Sequence, residues 1–280
     1  MLGADALNWL TPEPAWLAAL TASAHQPPRQ PRVPLLCGAH TVGSVEPDFL
    51  SQIGLLPLSD GRLLLQKEKH EGGAAWRIHG DLSASLSQVA LALRGQSPYV
   101  AAQWRDEALA VCSDTGKTIG QVERGAVRPL GIATQAVHLV GHAADGRIWV
   151  QQRALNKAND PGLWDTLMGG MVSAADTVAT ALVRETWEEA GLRVNDLQSV
   201  APGGRVTLRR PTELGSAGYM VEQIDWYRAV VPDGLEPVNQ DGEVAHFALL
   251  DRAELLHRLA QNQFTTEAAL ILVAALADVS

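Results

Sequence analysis

Residues 169–192 read GGMVSAADTVATALVRETWEEAGL, and the rest of the chain is organised around them. Ser173 and Asp176 have the spacing of a capping box, which predicts a helix starting at Ala174. Asp176 then sits near the positive end of the helix dipole, where an anion is favourable. Gly191 fits the left-handed position just past a helix C-terminus. At about 3.6 residues per turn, Glu185, Glu188 and Glu189 fall on one side of the last two turns. They repel one another and lie near the negative end of the dipole. Arg184, four residues before Glu188, offsets only one of them. The uncompensated charge asks for a cation. All-oxygen ligation points to Mg2+ or Mn2+ shared with phosphate oxygens. Gly169 and Gly170 lie just before the expected helix start, so the backbone there can approach a ligand closely, and a helix N-terminus attracts phosphate.

The chain has 280 residues, enough for one large or two ordinary domains. With 46% hydrophobic and 19% charged residues, the composition is that of a globular protein. The formal net charge is -9 and no Lys/Arg-rich run occurs, which argues against sequence-independent nucleic-acid binding. An acidic protein that handles phosphate needs a metal or local basic groups. Cys37 and Cys112 are too few for a disulfide framework and are expected to be free thiols in a reducing cytoplasm. The N-terminus lacks a basic stretch, and Asp5, Asn8 and Pro12 interrupt its apolar residues, so no signal peptide is expected. The run ALILVAALA near the C-terminus is too short to span a bilayer. A cytoplasmic protein without a membrane partner is the expectation.

Residues 14–24 read as a short helix with Pro14 in its first turn, and residues 81–93 as another. EALAVCS and TIGQVE alternate and form a hairpin through Asp114, Thr115 and Gly116. Pro129 interrupts, and a new strand begins at Gln135. These features place an N-terminal α+β domain at residues 1–128 and a second domain at 129–280. In the second, AVHLVG pairs with GRIWVQQ, and GRVTLRR, YMVEQIDWYRAVV and DGEVAHFALL are strands. A mixed sheet with the acidic helix on one face and the terminal helix on the other fits this order. Arg153 and Lys157 lie just upstream of the glycine pair and suit diphosphate oxygens. Trp104 and Trp164 are candidates for stacking on a ring.

The opening stretch resembles the Nudix box, G-x5-E-x7-R-E-U-x-E-E-x-G-U, where U is a bulky aliphatic residue. Gly170, Arg184, Glu185, Glu188, Glu189, Gly191 and Leu192 match in register. Asp176 stands where the box has its first glutamate and Thr186 where it has its first aliphatic. The resemblance implies an α/β/α sandwich and a metal-dependent pyrophosphohydrolase acting on a small-molecule diphosphate. On that pattern Glu185, Glu188 and Glu189 hold the metal, with the backbone carbonyl of Gly169 or Gly170 as a further ligand. Arg184 orients the acids, and Glu185 or Glu243 is the general base. Arg153, Lys157, Gly170 and Trp164 contact substrate, and a homodimer is expected by analogy alone. The segments WRDEALAV, ERGAVRPLGI, WVQQRALNK, PGLWDTLMGG and DGEVAHF resemble the branch that in some relatives is fused to thiamine pyrophosphokinase. That branch implies cleavage of a thiamine-type diphosphate, damaged forms included, to the monophosphate. Three alternatives stand beside it. One is a hydrolase of ADP-ribose or dinucleotides, and one is a binding module without turnover. The third is an enzyme like isopentenyl-diphosphate isomerase, suggested by R-x3-K followed by P-G-L-x-D; it requires a cysteine and a glutamate at the reacting carbon, and Cys112 lies outside the expected catalytic domain.

Overall fold

A computed structural model describes residues 12–54, 58, 63–113, 115–157, 159–212 and 218–277. The chain opens with α1 (Pro14–Ala24), then builds a sheet from β1 (Val33–Cys37), β2 (His40–Val45), β3 (Leu65–His70) and β4 (Gly73–Ile78). Among the described residues its order is β2-β1-β4-β3, with β1 and β4 parallel and the other pairs antiparallel. Helix α2 (Leu82–Gln96) is capped by Asp81, which accepts from the Ala84 amide at 2.9 Å. It buries Leu86, Val89 and Leu93 in one core with Leu35 and Trp76. After α3 (Pro98–Ala102), the expected hairpin forms as β5 (Ala108–Cys112) and β6 (Thr118–Glu123), with Asp114 outside the described residues. The one-turn helix α4 (Arg124–Val127) leads out of it.

The second half is a mixed sheet. Strand β7 (Ala133–Ala143) is followed by β8 (Ile148–Arg153), β9 (Trp164–Asp165), β10 (Met168–Met171) and α5 (Val178–Ala190). Then come β11 (Gln198–Pro211), β12 (Tyr219–Val231), β13 (Val244–Leu250), α6 (Arg252–Ala260) and α7 (Thr266–Ala277). The strand order is β11-β12-β7-β8-β13, with β10 also on β7 and β9 on β8, and β12 runs parallel to β7. Strand alternation sends Ala136 and Val140 of β7 to one face, with Leu255 and Ile271 of α6 and α7. It sends Val137 and Leu139 to the other, with Leu182 and Ala190 of α5. This is the expected α/β/α sandwich, preceded by a smaller α+β unit.

One sequence expectation needs correction. The acidic helix starts at Val178, not Ala174. Its N-cap is Thr177, which accepts from the Thr180 amide at 3.2 Å while Thr180 Oγ1 accepts from the Thr177 amide at 2.8 Å. Ser173 Oγ is spent on Asp176 at 3.0 Å, so Asp176 lies before the helix and not in its first turn. Contacts also cross the division expected at residue 128. Helix α1 packs on the second unit: Ala24 is fully buried among Ile271 and Leu272, the Gln26 amide donates to the Arg209 carbonyl at 2.7 Å, and Trp16 Nε1 donates to Asn262 Oδ1 at 3.2 Å. Conversely, Leu130 and Ile132 belong to the N-terminal core. The C-terminal end of α5 is as expected, with Gly191 at φ 62° and the Leu192 amide reaching back to the Thr186 carbonyl at 3.3 Å. No helix among the described residues is long and apolar enough to cross a membrane.

The cap assignment has a direct test. Thr177→Ala is expected to lower unfolding free energy by about 1 kcal/mol, and Ser173→Ala by clearly less, as measured by urea denaturation. A larger loss at Ser173 would move the helix start back to the sequence expectation.

Candidate active site

Strand β10 lies antiparallel to β7, with Gly169 opposite His138 and Gly170 opposite Val137. Neither glycine has positive φ, and the reason for the pair is close approach. A Cβ on Gly170 would stand 2.1 Å from Glu185 Cδ, and one on Gly169 would stand 2.4 Å from His138 Cε1. The glycines thus let a carboxylate from α5 and an imidazole from β7 rest on the strand backbone. His138 Nδ1 meets Thr166 Oγ1 at 2.9 Å.

The three box acids have different surroundings. Glu189 is 2% exposed and accepts from Gln151 Nε2 at 2.8 Å and from the Gly169 amide at 2.9 Å. Burial pushes its carboxyl up to about 8, against the pull of those two donors. Burial likewise raises Glu185 to about 7, against the opposing charge of Arg184. Glu188 is more open. Arg184 Nη1 donates to Glu185 Oε1 and Glu188 Oε2, both at 2.9 Å. Its Nε and Nη2 reach Asp176 Oδ2 at 3.0 and 2.9 Å. The shorter Asp176 therefore still meets the arginine, because it approaches from the loop before the helix. Burial works to raise the Asp176 carboxyl, yet bonds from Arg184, Ser173 and Thr180 hold it below its ordinary range. Thr186 is fully buried and gives its hydroxyl proton to the Leu182 carbonyl at 2.6 Å, which is how a polar residue sits under the helix.

A cleft of about 540 Å3 brings together Glu185, Glu188, Glu189, Arg184, Gly169, Gly170, Arg153, Lys157 and Glu243. Lys157 Nζ donates to Glu243. Burial acts to raise the Glu243 carboxyl, but that bond and the nearby cations leave it lowered. Arg153 is partly committed, to Asp165 at 3.3 Å and to the Asn159 carbonyl at 3.0 Å. Trp164 does not line the cleft. It is 9% exposed, edge-on to His246 at 5.1 Å, with Arg258 over its ring at 4.6 Å. Trp104 is also away from the cleft, covered by Arg94 at 4.4 Å. The stacking role read from sequence for both tryptophans is not supported by these positions, because their rings are already used in packing.

Sequence reasoning missed several cleft residues. Arg124 and Arg128 enter from the N-terminal half, and Arg210, Thr212, Glu222 and Glu267 line the same cleft. Arg210 donates to Glu267 Oε1 at 3.2 Å, and Thr134 Oγ1 to Glu222 Oε1 at 3.0 Å. Among the described residues, Arg128 Nη1, Thr212 Oγ1 and Glu267 Oε2 are buried without a hydrogen-bond partner. The only sequence signal was the resemblance of the ERGAVRPLGI segment, which carries Arg124 and Arg128.

The described residues hold no three His, Cys, Asp or Glu side chains converging tightly enough to bind a metal ion as they stand, since Arg184 sits between Glu185 and Glu188. The donor set nevertheless fits a hard divalent cation. It is all oxygen, burial raises two of its carboxyls, and Gly170 leaves the Glu185 carboxylate room on the strand.

Comparison with known proteins agrees with this geometry. Residues 133–270 match the family model described as NUDIX domain. The chain is 29% identical over 154 residues to Nudix hydrolase 20, chloroplastic, of Arabidopsis thaliana, covering 51% of this chain and 38% of that protein. It is 32% identical over 160 residues to isopentenyl-diphosphate Delta-isomerase of Streptomyces coelicolor, covering 56% of this chain and 77% of that one. The crystal structure of DR0079 from Deinococcus radiodurans aligns with a TM-score of 0.47 at 21% identity, over 59% of this chain and 98% of that chain. This chain belongs to the Nudix superfamily. It spans 38% and 39% of the lengths of the two Arabidopsis relatives that it matches.

Gly170→Ala tests the close approach. It is expected to push Glu185 off the strand and weaken Mn2+ binding about tenfold or more, the scale of lost ligand support. Calorimetric titration measures this, with circular dichroism unchanged. Wild-type affinity would show that the contact does not position Glu185.

Proposed function

We propose that this protein is a Mg2+-dependent hydrolase that cleaves the diphosphate linkage of a small molecule. One observation carries the reading: the box acids and the cations Arg153 and Lys157 line a single cleft. Glu185, Glu188 and Glu189, with the Gly169 carbonyl, would hold the ion. Bound there, it supplies charge neutralisation on diphosphate oxygens and acidifies water for attack. The protein's own part is mostly positioning and charge, as phosphoryl-type transfer requires. Arg184 fixes the directions of Glu185 and Glu188. The Gly169 amide and Gln151 fix Glu189. Lys157 and Arg153 offer donors to the terminal phosphate oxygens. The base is assigned to Glu185 or Glu243, which line the same cleft; turnover that survives Glu243→Gln leaves the role to Glu185.

The finer reading is that the substrate is a thiamine-type diphosphate, with damaged forms preferred. Its support is the resemblance of the five segments named above. The cleft adds one compatible feature, since Glu267 and Thr212 have spare acceptor and hydroxyl capacity for the polar edge of a nitrogen ring. Tyr99 and Met220 replace the tryptophans as its flat and apolar lining.

An isomerase reading is favoured by the Streptomyces relative. Against it, neither Cys37 nor Cys112 lines the cleft, so the required thiol is lacking among the described residues there. A binding module without turnover would not need all of the box acids.

Incubation of the full chain with Mg2+ and, separately, thiamine diphosphate, oxothiamine diphosphate, ADP-ribose, NADH and isopentenyl diphosphate separates these readings by product. A monophosphate product is expected, with kcat/KM highest for oxothiamine diphosphate. A nucleotide preferred tenfold or more would remove the thiamine assignment, and an isomeric diphosphate would remove hydrolysis. Glu188→Gln and Glu189→Gln should each lower turnover by roughly a hundredfold, the usual scale for one charge-stabilising group. Undiminished rates in both would sink the metal role.

A further inference from the structure

The acid cleft has a neighbour that the Nudix domain does not make alone. A second cavity of about 310 Å3 shares Tyr99, Arg124, Arg128, Arg153 and Lys157 with the first, and Arg105 is added to its wall. Three of its cations, Arg105, Arg124 and Arg128, precede the stretch that matches the family model. Five cationic side chains line it against two carboxylates, Asp241 and Glu243. Four of these cations have carboxylate partners, Arg153 with Asp165 at 3.3 Å among them, so what is left for an anion is the charge of Arg105 and the unfilled donors of the others.

The individual contacts show how much of that charge is unspent. Glu243 is taken by Lys157. Arg124 is paired with Glu107 at 2.7 Å. Arg105 Nη1 donates only to the carbonyls of Ala102 and Trp104, at 3.1 and 3.0 Å, and among the described residues no carboxylate pairs with it. Arg128 reaches Glu222 at a long 3.4 Å through Nη2, and its Nη1 is buried without an acceptor. A buried donor on a charged group that meets no acceptor carries its full desolvation cost. A ligand oxygen met by a small swing of the guanidinium would remove that cost. The local structure holds these residues in place: the Glu123 carboxylate accepts from the Arg105 amide at 2.8 Å and from the Gly125 amide at 3.2 Å, so α3, β6 and α4 present Arg105 and Arg124 together.

We propose that the N-terminal half is a substrate-binding unit whose Arg105, Arg124 and Arg128 form, with Arg153 and Lys157, a subsite for a phosphoryl group beside the acid cleft. The identity of the anion rests on the diphosphate reading above; the existence of the subsite does not. Guanidinium groups suit tetrahedral oxyanions because they donate in a planar fork.

The test is calorimetric titration of inorganic phosphate into the full chain with divalent metal removed by chelation, so that it does not depend on turnover. Saturable binding is expected in the wild type, weakened about tenfold by Arg105→Gln and by Arg124→Gln, the scale of one charged hydrogen bond. Arg147→Gln, on the distant β7–β8 hairpin, should leave it unchanged. Arg105 is exposed and bonds only backbone, so Arg105→Gln keeps the test standing if Arg124→Gln fails to fold. With a substrate in hand, Arg105→Gln should raise KM while kcat stays within about twofold. No saturable phosphate binding, or binding indifferent to both substitutions, overturns the proposal. Phosphate binding with the expected losses but no hydrolysis of any diphosphate sustains the subsite and removes the hydrolase reading.

Discussion

Arg184 gives its guanidinium to Asp176 before α5, to Glu185 and Glu188 within it, and to the Met171 carbonyl on β10 at 3.3 Å. One side chain thereby ties the loop, the helix and the strand that together make the acidic wall. Without it, three carboxylates would face one another near the negative end of a helix dipole. With it, the cluster folds but stays under-compensated, since Glu185 and Glu189 are still raised by burial. Burial thus keeps two of the three carboxyls easy to protonate even beside the arginine.

The glycine pair is the complementary constraint. Two residues without side chains let Glu185 and His138 occupy space that any Cβ would deny them. Packing on β10, rather than conformational freedom, is the reason for glycine here. Glu189 is then held from two directions, by the Gly169 amide and by Gln151 of β8. Acids, strand and sheet are therefore one unit, and displacement of any member is felt by the rest.

The two halves of the chain are also one unit at the site. Ser173 bridges to Leu109 of β5, and the Ala174 amide donates to the Ala108 carbonyl at 2.8 Å. The loop that precedes the acidic helix is thus pinned to the N-terminal half. Helix α1 makes the opposite exchange, leaving its own half to pack on α7 and β11. The Tyr219 amide donates to the Arg128 carbonyl at 2.9 Å, which ties the start of β12 to the end of the N-terminal half. The cleft wall is therefore built from both halves of the chain.

Local pattern determined much of this by itself. The spacing of Arg184, Glu185, Glu188, Glu189 and Gly191 identified the helix, its end and the arginine that joins its acids, because those contacts span one or two turns. Strand alternation identified the layers, because side chains at every second position must share a face. The start of α5 was misread because two polar pairs three residues apart, Ser173 with Asp176 and Thr177 with Thr180, carry nearly the same cap signal; Arg184, eight residues on, draws Asp176 out of that role. The tryptophans were misplaced because an aromatic side chain has the same local signature in a core and in a pocket. Arg124, Arg128, Arg210 and Glu267 were invisible as site residues for a simpler reason. Local spacing marks none of them, beyond the resemblance of the segment that holds Arg124 and Arg128, and only the pairing of β11 with β12, the docking of α7 and the seating of the N-terminal half bring them to one cleft.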